Sequence, residues 1–299
     1  MPNLKVWVAA ARLRTLPLAF ASIFLGSLLA ASQGHFDSLV FVFSLLTTLF
    51  YQVLSNFAND YGDGIKGTDQ ERKGEARAVA SGTISAKDMR FAVRLFVILS
   101  LLSGSFLSFW ACRDLGLEYQ LGFTALGILA TWSAVNYTVG DSAYGYKGLG
   151  DLFVLLFFGF VGVGGSYFLH TQSWSWLVLL PGTSLGFFAM AVLNLNNMRD
   201  RETDAKSGKQ TLALSLGEQG AKAYHALLLI LGFDAAFLYN RLLPSSIWQN
   251  LYFISLPFLI LNLLSVLKAK KPEDYEPLLK KMALTTLLFS VLFGLGKIL

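Results

Sequence analysis

The sequence predicts an all-α fold: a polytopic membrane protein built as a bundle of nine transmembrane helices. Three observations predict it. Hydrophobic residues make up 54% of the 299-residue chain and charged residues only 14%, where a soluble domain carries roughly 25%. The apolar residues fall in runs of about 20, the length that crosses a hydrocarbon core of about 30 Å. Those runs are continuous rather than alternating, so helices are expected and barrel strands are not. The same composition excludes a disordered chain and argues against a soluble enzyme. A single cysteine, Cys112, leaves no internal disulfide and no CxxC metal site.

Taken in order, the runs place spans near 15–33, 37–57, 91–111, 119–139, 151–171, 174–195, 222–241, 248–267 and 280–297. The first follows Lys5, Arg12 and Arg14 and ends in Ala30-Ala31-Ser32, which mimics a signal peptide. It is long for one, and further spans follow. Nine spans place the loops on alternate sides. Of the 24 Lys and Arg residues, 21 then share the side of the N-terminus, and only Arg113, Arg241 and Lys297 lie opposite. Basic residues mark cytoplasmic loops. The chain is therefore expected in the cell (inner or plasma) membrane, N-terminus inside and C-terminus outside. The net charge of +5 reflects this orientation, and nucleic acid is not an expected partner. Residues 1–299 read as a single transmembrane domain.

Acidic residues crowd the same basic side, in two clusters. One runs Asn56-Phe57-Ala58-Asn59-Asp60-Tyr61-Gly62-Asp63 and on to Asp69; the other runs Asn194-Leu195-Asn196-Asn197-Met198-Arg199-Asp200 and on to Asp204. They follow the second and sixth spans. Residues i and i+4 share a helix face, which puts Asn59 with Asp63, and Asn196 with Asp200 and Asp204. Asn59 aligned on Asn196 brings Asp63 onto Asp200, a weak internal repeat near 56–69 and 194–204. Carboxylate and amide oxygens at this spacing suit Mg²⁺, which keeps waters and bridges carboxylates to phosphates. His35, His170 and His225 are scattered and do not point to zinc. Arg72, Lys73 and Arg77 follow the first cluster, and Lys206 and Lys209 the second. Acids and cations together are what a metal-bound diphosphate needs. One cluster alone would read as helix capping; two matched clusters on one membrane face read as function. Each base alone reads more as a topology signal than as a ligand. Tyr144 and Lys147, in a third loop on this side, read as turn residues or as substrate contacts.

These segments resemble the intramembrane UbiA-type prenyltransferases along most of the chain. The resemblance is carried by Arg12-Leu-Arg14-Thr-Leu-Pro17, by residues 55–69, by Ala143-Tyr-Gly-Tyr-Lys-Gly-Leu-Gly-Asp151, and by Asn196 to Asp204 followed by Gly208-Lys-Gln-Thr-Leu212. Within that family it is most similar to the branch that prenylates 1,4-dihydroxy-2-naphthoate on the way to menaquinone. The general family spacing places an acid four residues after Asp63, where this chain has Gly67; its next acid is Asp69. The naphthoate branch shares that departure. Asp69 is left open between a direct metal ligand, a ligand through water and a loop cap.

The resemblance implies a UbiA-type helical bundle that transfers a polyprenyl group from polyprenyl diphosphate to 1,4-dihydroxy-2-naphthoate. CO₂ and diphosphate are lost and demethylmenaquinone is formed. Mg²⁺ is the implied cofactor. Asp63, Asp200 and Asp204 are the leading catalytic and metal residues, with Asp60 and Asp69 beside them as metal ligands. Asn56, Asn59, Arg14, Arg77, Tyr144, Lys147, Asn196 and Lys209 are the expected substrate contacts. The isoprenoid tail is expected to reach membrane lipid through a side opening between helices. A sister enzyme acting on 4-hydroxybenzoate or homogentisate would use the same acids. A cation transporter fits less well, because such sites lie near the bilayer midplane on broken helices. A non-enzymatic scaffold leaves the matched clusters unexplained.

Overall fold

The computed structural model describes residues 3–67, 77–140, 143–243 and 246–299. Their regular structure is helical: α1 (Leu4–Ala11), α2 (Leu16–Ala31), α3 (Ser38–Lys66), α4 (Ala86–Ala111), α5 (Leu117–Asn136), α6 (Gly150–Val154), α7 (Ser166–Thr171), α8 (Leu179–Lys206), α9 (Leu212–Leu242), α10 (Leu256–Lys268) and α11 (Pro272–Ile298). A π-helical stretch, Leu155–Gly165, joins α6 to α7 in one continuous rod. No strand is present among the described residues.

Eight of the described helical segments are long and apolar enough to cross a membrane. The expected nine-span count is not met by that measure. The expected span 119–139 is present as α5, whose 20 residues reach about 30 Å. Its composition keeps it out of the set: Glu118 and Gln120 sit in its first turns, and Thr124, Thr131 and Ser133 follow. Those three hydroxyls are satisfied inside the helix by carbonyls one turn back, at Gln120, Gly127 and Leu129. The outward faces carry exposed Ile98, Leu102, Phe109, Ile230, Phe258 and Leu261, apolar surface that water would penalise and lipid does not. Exposed Trp174, Trp176 and Trp248 stand near helix ends, where membrane proteins concentrate tryptophan. The chain is a multi-pass membrane protein.

Two apolar cores lie side by side. One packs α1, α3 and α4 around Leu54, Phe57, Ile84 and Met89. The larger joins α2 to α8–α11 around Leu25, Phe188, Tyr252 and Phe289. Small residues set the close approaches. A Cβ added to Gly159 in the π-helical stretch would stand 2.6 Å from the Gly182 oxygen of α8. At Gly62 an added Cβ would meet Thr138 Oγ1 at 2.7 Å, so only glycine lets the end of α3 lie against the segment after α5.

The ends of α3 and α8 decide where the polar residues go. Asp37 starts α3 by accepting the Leu39 and Val40 N–H groups at 2.7 and 3.1 Å. The helix then continues to Lys66 and stops at Gly67 in the left-handed region (φ 76°). α8 likewise continues to Lys206. Asn56 to Asp63 and Asn194 to Asp204 are therefore helical extensions of their spans rather than loops, which keeps the i, i+4 faces intact.

Candidate functional site

A cavity of about 760 Å³ lies between the two cores. Along α3 its lining runs from Ser44 to Asp63, about 28 Å at 1.5 Å per residue. One end is charged: Arg14, Asp63, Arg77, Arg199, Asp200, Asp204, Lys209 and Glu276 line it. The rest is largely apolar, with Ile23, Leu107, Phe123, Leu126, Phe157 and Leu169 in the wall. A site with this polarity accepts a long molecule with a charged head and a greasy tail.

Ten of the residues singled out in the sequence line this one cavity: Arg14, Asn56, Asn59, Asp63, Arg77, Tyr144, Asn196, Asp200, Asp204 and Lys209. Asn56 is buried and donates its amide to the Ala11 carbonyl at 2.9 Å and to Thr15 Oγ1 at 3.2 Å, tying α3 to the N-terminal segment. Asn59 accepts from Thr138 Oγ1 at 3.2 Å. Asp63 accepts the Tyr146 hydroxyl at 2.8 Å and lies 3.9 Å from buried Arg77. Tyr144 donates to the Ser133 carbonyl at 2.9 Å and stacks on Phe153, ring centroids 3.9 Å apart.

On α8, Arg199 grips Asp200 with both arms of its fork, Nε to Oδ1 at 2.7 Å and Nη2 to Oδ2 at 2.8 Å. Its Nη2 also donates to Asn196 Oδ1 at 2.7 Å. Asp204 and Lys209, both buried, stand 3.7 Å apart. Burial works against the Lys209 ammonium. Tyr137 and the carboxylates of Asp204, Asp63 and Asp200 outweigh it and hold its pKa above the ordinary lysine value. Lys209 thus answers to the acids of both helix ends.

Two expected residues stand apart from the cavity lining. Asp60 is buried, and its two oxygens accept the Ala78 and Val79 N–H groups at 3.0 and 2.9 Å. Its carboxylate is occupied in fastening the chain that follows the first motif. Lys147 is exposed and does not line the cavity. Its loop takes part through Tyr146 instead, whose ring lies under the Lys66 ammonium at 4.3 Å and whose carbonyl accepts the Gln210 N–H at 3.0 Å. Tyr146 therefore brackets the two helix ends. Asp69, Arg72 and Lys73 fall outside the described residues.

Two further residues stand out at the charged end. Arg199 lies inside the second motif, but as a base in a polar loop it reads as a topology signal. Glu276, on α11, receives Arg199 and, at 2.8 Å, Arg14. Its only trace in the sequence is the acidic start of the last span, Glu273-Asp274-Tyr275-Glu276.

Among the described residues no three His, Cys, Asp or Glu side chains converge closely enough to hold a metal ion by themselves. The donor chemistry still fits a hard divalent ion: Asp63, Asp200 and Asp204 face one cavity together with amide oxygens. Mg²⁺ commonly takes one or two carboxylates and completes its shell with waters and substrate phosphates.

Comparison with known proteins agrees with this arrangement. The model of the UbiA prenyltransferase family matches residues 19–292. A 1,4-dihydroxy-2-naphthoate octaprenyltransferase of Haemophilus influenzae is 45% identical over 303 residues, covering 98% of this chain and 96% of the relative. An enzyme of the same name from Escherichia coli is 41% identical, covering 98% and 94%. Among solved structures, a UbiA homologue from Aeropyrum pernix superposes with a TM-score of 0.67 at 14% identity, over 95% of this chain and 96% of that one. A UbiA homologue from Archaeoglobus fulgidus, bound to GPP and Mg²⁺, superposes with a TM-score of 0.65 at 14% identity, over 96% and 99%. A bundle closed around one charged-to-apolar cavity and near end-to-end likeness in sequence lead to one assignment: the chain belongs to the UbiA prenyltransferase family.

Proposed function

We propose that the protein transfers a polyprenyl group from polyprenyl diphosphate to 1,4-dihydroxy-2-naphthoate, with loss of diphosphate and CO₂. One observation carries the reading: acids and bases from two distant helix ends meet at the head of a long, mostly apolar cavity. The naphthoate acceptor is favoured by the two relatives above 40% identity that are named for it.

In this reading the diphosphate lies at the charged end, where Arg14, Arg77 and Lys209 face its oxygens. Asp63, Asp200 and Asp204 would hold Mg²⁺, with Asn59 and Asn196 beside them. The ion supplies neutralisation of charge on the diphosphate. The fixed cations stabilise the leaving group as the allylic C–O bond breaks. Tyr144 and Tyr137 stand in the wall below, where an aromatic face can steady the allylic cation. An electron-rich ring carbon of the naphthoate attacks that cation, and the ring carboxylate departs as CO₂. The acceptor enters as a hydroquinone and no oxidant takes part, so demethylmenaquinone leaves as its quinol. The tail occupies the apolar length of the cavity and passes between helices to membrane lipid. Residues 1–299 act as one domain, because the cavity draws its walls from both halves of the chain. The basic side faces the cytoplasm across the inner or plasma membrane, with the C-terminus outside.

The test is an assay of membranes with Mg²⁺, a labelled polyprenyl diphosphate and a panel of aromatic acids. Product with 1,4-dihydroxy-2-naphthoate is expected. Product with 4-hydroxybenzoate or homogentisate instead would move the chain to a sister activity, and no prenylated product with any acceptor would overturn the reading.

A further inference from the structure

We propose that Glu276 is a positioning residue of the donor site, holding Arg199 so that Asp200 can turn to a magnesium diphosphate. The proposal rests on the functional reading above and concerns a residue outside both acidic motifs.

In the structure both Asp200 oxygens are engaged by the Arg199 fork, at 2.7 and 2.8 Å. A carboxylate held flat against a guanidinium is a poor ligand for a cation, because the ion would sit beside a fixed positive charge. Asp200 must surrender at least one bond to Arg199 before it can take a divalent ion. Arg199 cannot follow into water, since its side chain is only 4% exposed. A buried guanidinium that loses its carboxylate is strongly destabilising. Its neighbour Asn196 is neutral and does not replace the lost charge.

Glu276 solves this problem geometrically. It comes from α11, which packs directly against α8, and takes the Arg199 Nη1 arm, which Asp200 does not use. Among the described residues Asp200 and Glu276 are the acids that Arg199 pairs with. Glu276 also pairs with Arg14 at 2.8 Å, and both of these side chains are partly exposed, at 32% and 43%. Their pairing can loosen or tighten at low cost, because solvent shares it. The result is an arginine with two carboxylate partners, one fixed beside it on α8 and one supplied by the neighbouring helix α11. When the first is drawn to the metal, the second keeps the cation neutralised and in place, aimed at the diphosphate.

The purified full-length protein, loaded with a non-reacting prenyl thiolodiphosphate, tests this by thermal unfolding across a Mg²⁺ titration. Wild type is expected to gain stability with Mg²⁺ about a defined midpoint. Glu276→Gln is expected to raise that midpoint about tenfold, since Arg199 then clings to Asp200. Glu276→Asp restores it to within about threefold, because the charge is kept. In an Arg199→Met background, Glu276→Gln no longer moves the midpoint, which is the signature of coupling between the two. In turnover, Glu276→Gln raises the Mg²⁺ requirement more than it lowers the rate at saturating Mg²⁺. A Glu276→Gln protein that melts earlier with an unchanged Mg²⁺ midpoint would show a mere structural tie between helices and overturn the proposal. No Mg²⁺-linked stabilisation of the loaded wild type would instead bring down the functional reading itself, and this proposal with it.

Discussion

The ends of α3 and α8 present similar residues to one cavity but hold their carboxylates by different means. On α3, Asp60 is fastened to two backbone N–H groups and Asp63 to a tyrosine hydroxyl, with Arg77 farther away at 3.9 Å. On α8, Asp200 is gripped by a guanidinium and Asp204 lies near an ammonium. The alignment of Asn59 on Asn196 is thus a likeness of composition and spacing, with unlike surroundings. At the first end the short contacts come from neutral donors, with Arg77 farther off at 3.9 Å. The second is balanced by cations and stores the charge that a diphosphate would redistribute.

Substitutions can break this contrast or sharpen it. The largest effect is expected where a proposed ligand is lost: Asp200→Asn, Asp204→Asn or Asp63→Asn should each lower kcat by about a hundredfold or more, with the protein still inserted in the membrane. Near-normal turnover in all three would remove the metal role from both ends. Asp60→Ala should act on stability, since it leaves two N–H groups without their acceptor. A loss of about 3 kcal/mol is expected in unfolding, with the Mg²⁺ midpoint unmoved. A raised Mg²⁺ requirement in that variant would return Asp60 to the ligand set. Smaller still is Tyr146→Phe, which deletes the hydroxyl held by Asp63 and should cost about fivefold in kcat/KM. If it cost as much as Asp63→Asn, the phenol would be part of the chemistry. Lys147→Ala should leave kcat and KM within about twofold, because an exposed lysine away from the cavity contributes little.

Much of this was legible in the sequence because it is local. Apolar runs mark the spans, and the i, i+4 spacing brings Asn196, Asp200 and Asp204 to one face because α8 stays helical through them. The α5 span is legible too, although its polar residues lower its hydropathy; Thr124, Thr131 and Ser133 satisfy their hydroxyls within the helix. Asp60 and Asp63 look alike in the sequence, and only the returning backbone at Ala78 and Val79 separates their roles. In the third loop, Tyr144 and Lys147 drew attention while Tyr146, between them, makes the bond to Asp63. Glu276 carries no motif at all. Its role is defined by Arg14 and Arg199, and a pairing between opposite ends of a chain leaves no periodic signal.

That pairing has a consequence for how the protein is made. Arg14 precedes α2, and Glu276 opens α11. During synthesis the early helices enter the bilayer before α11 has left the ribosome. Until α11 arrives, Arg14 and Arg199 both lack Glu276, and the cavity lacks one of its walls. A nascent chain halted before α11 would carry both acidic motifs and still have no finished pocket for a diphosphate. Insertion of α11 thus brings the carboxylate that ties Arg14 to Arg199 and closes the charged end of the cavity.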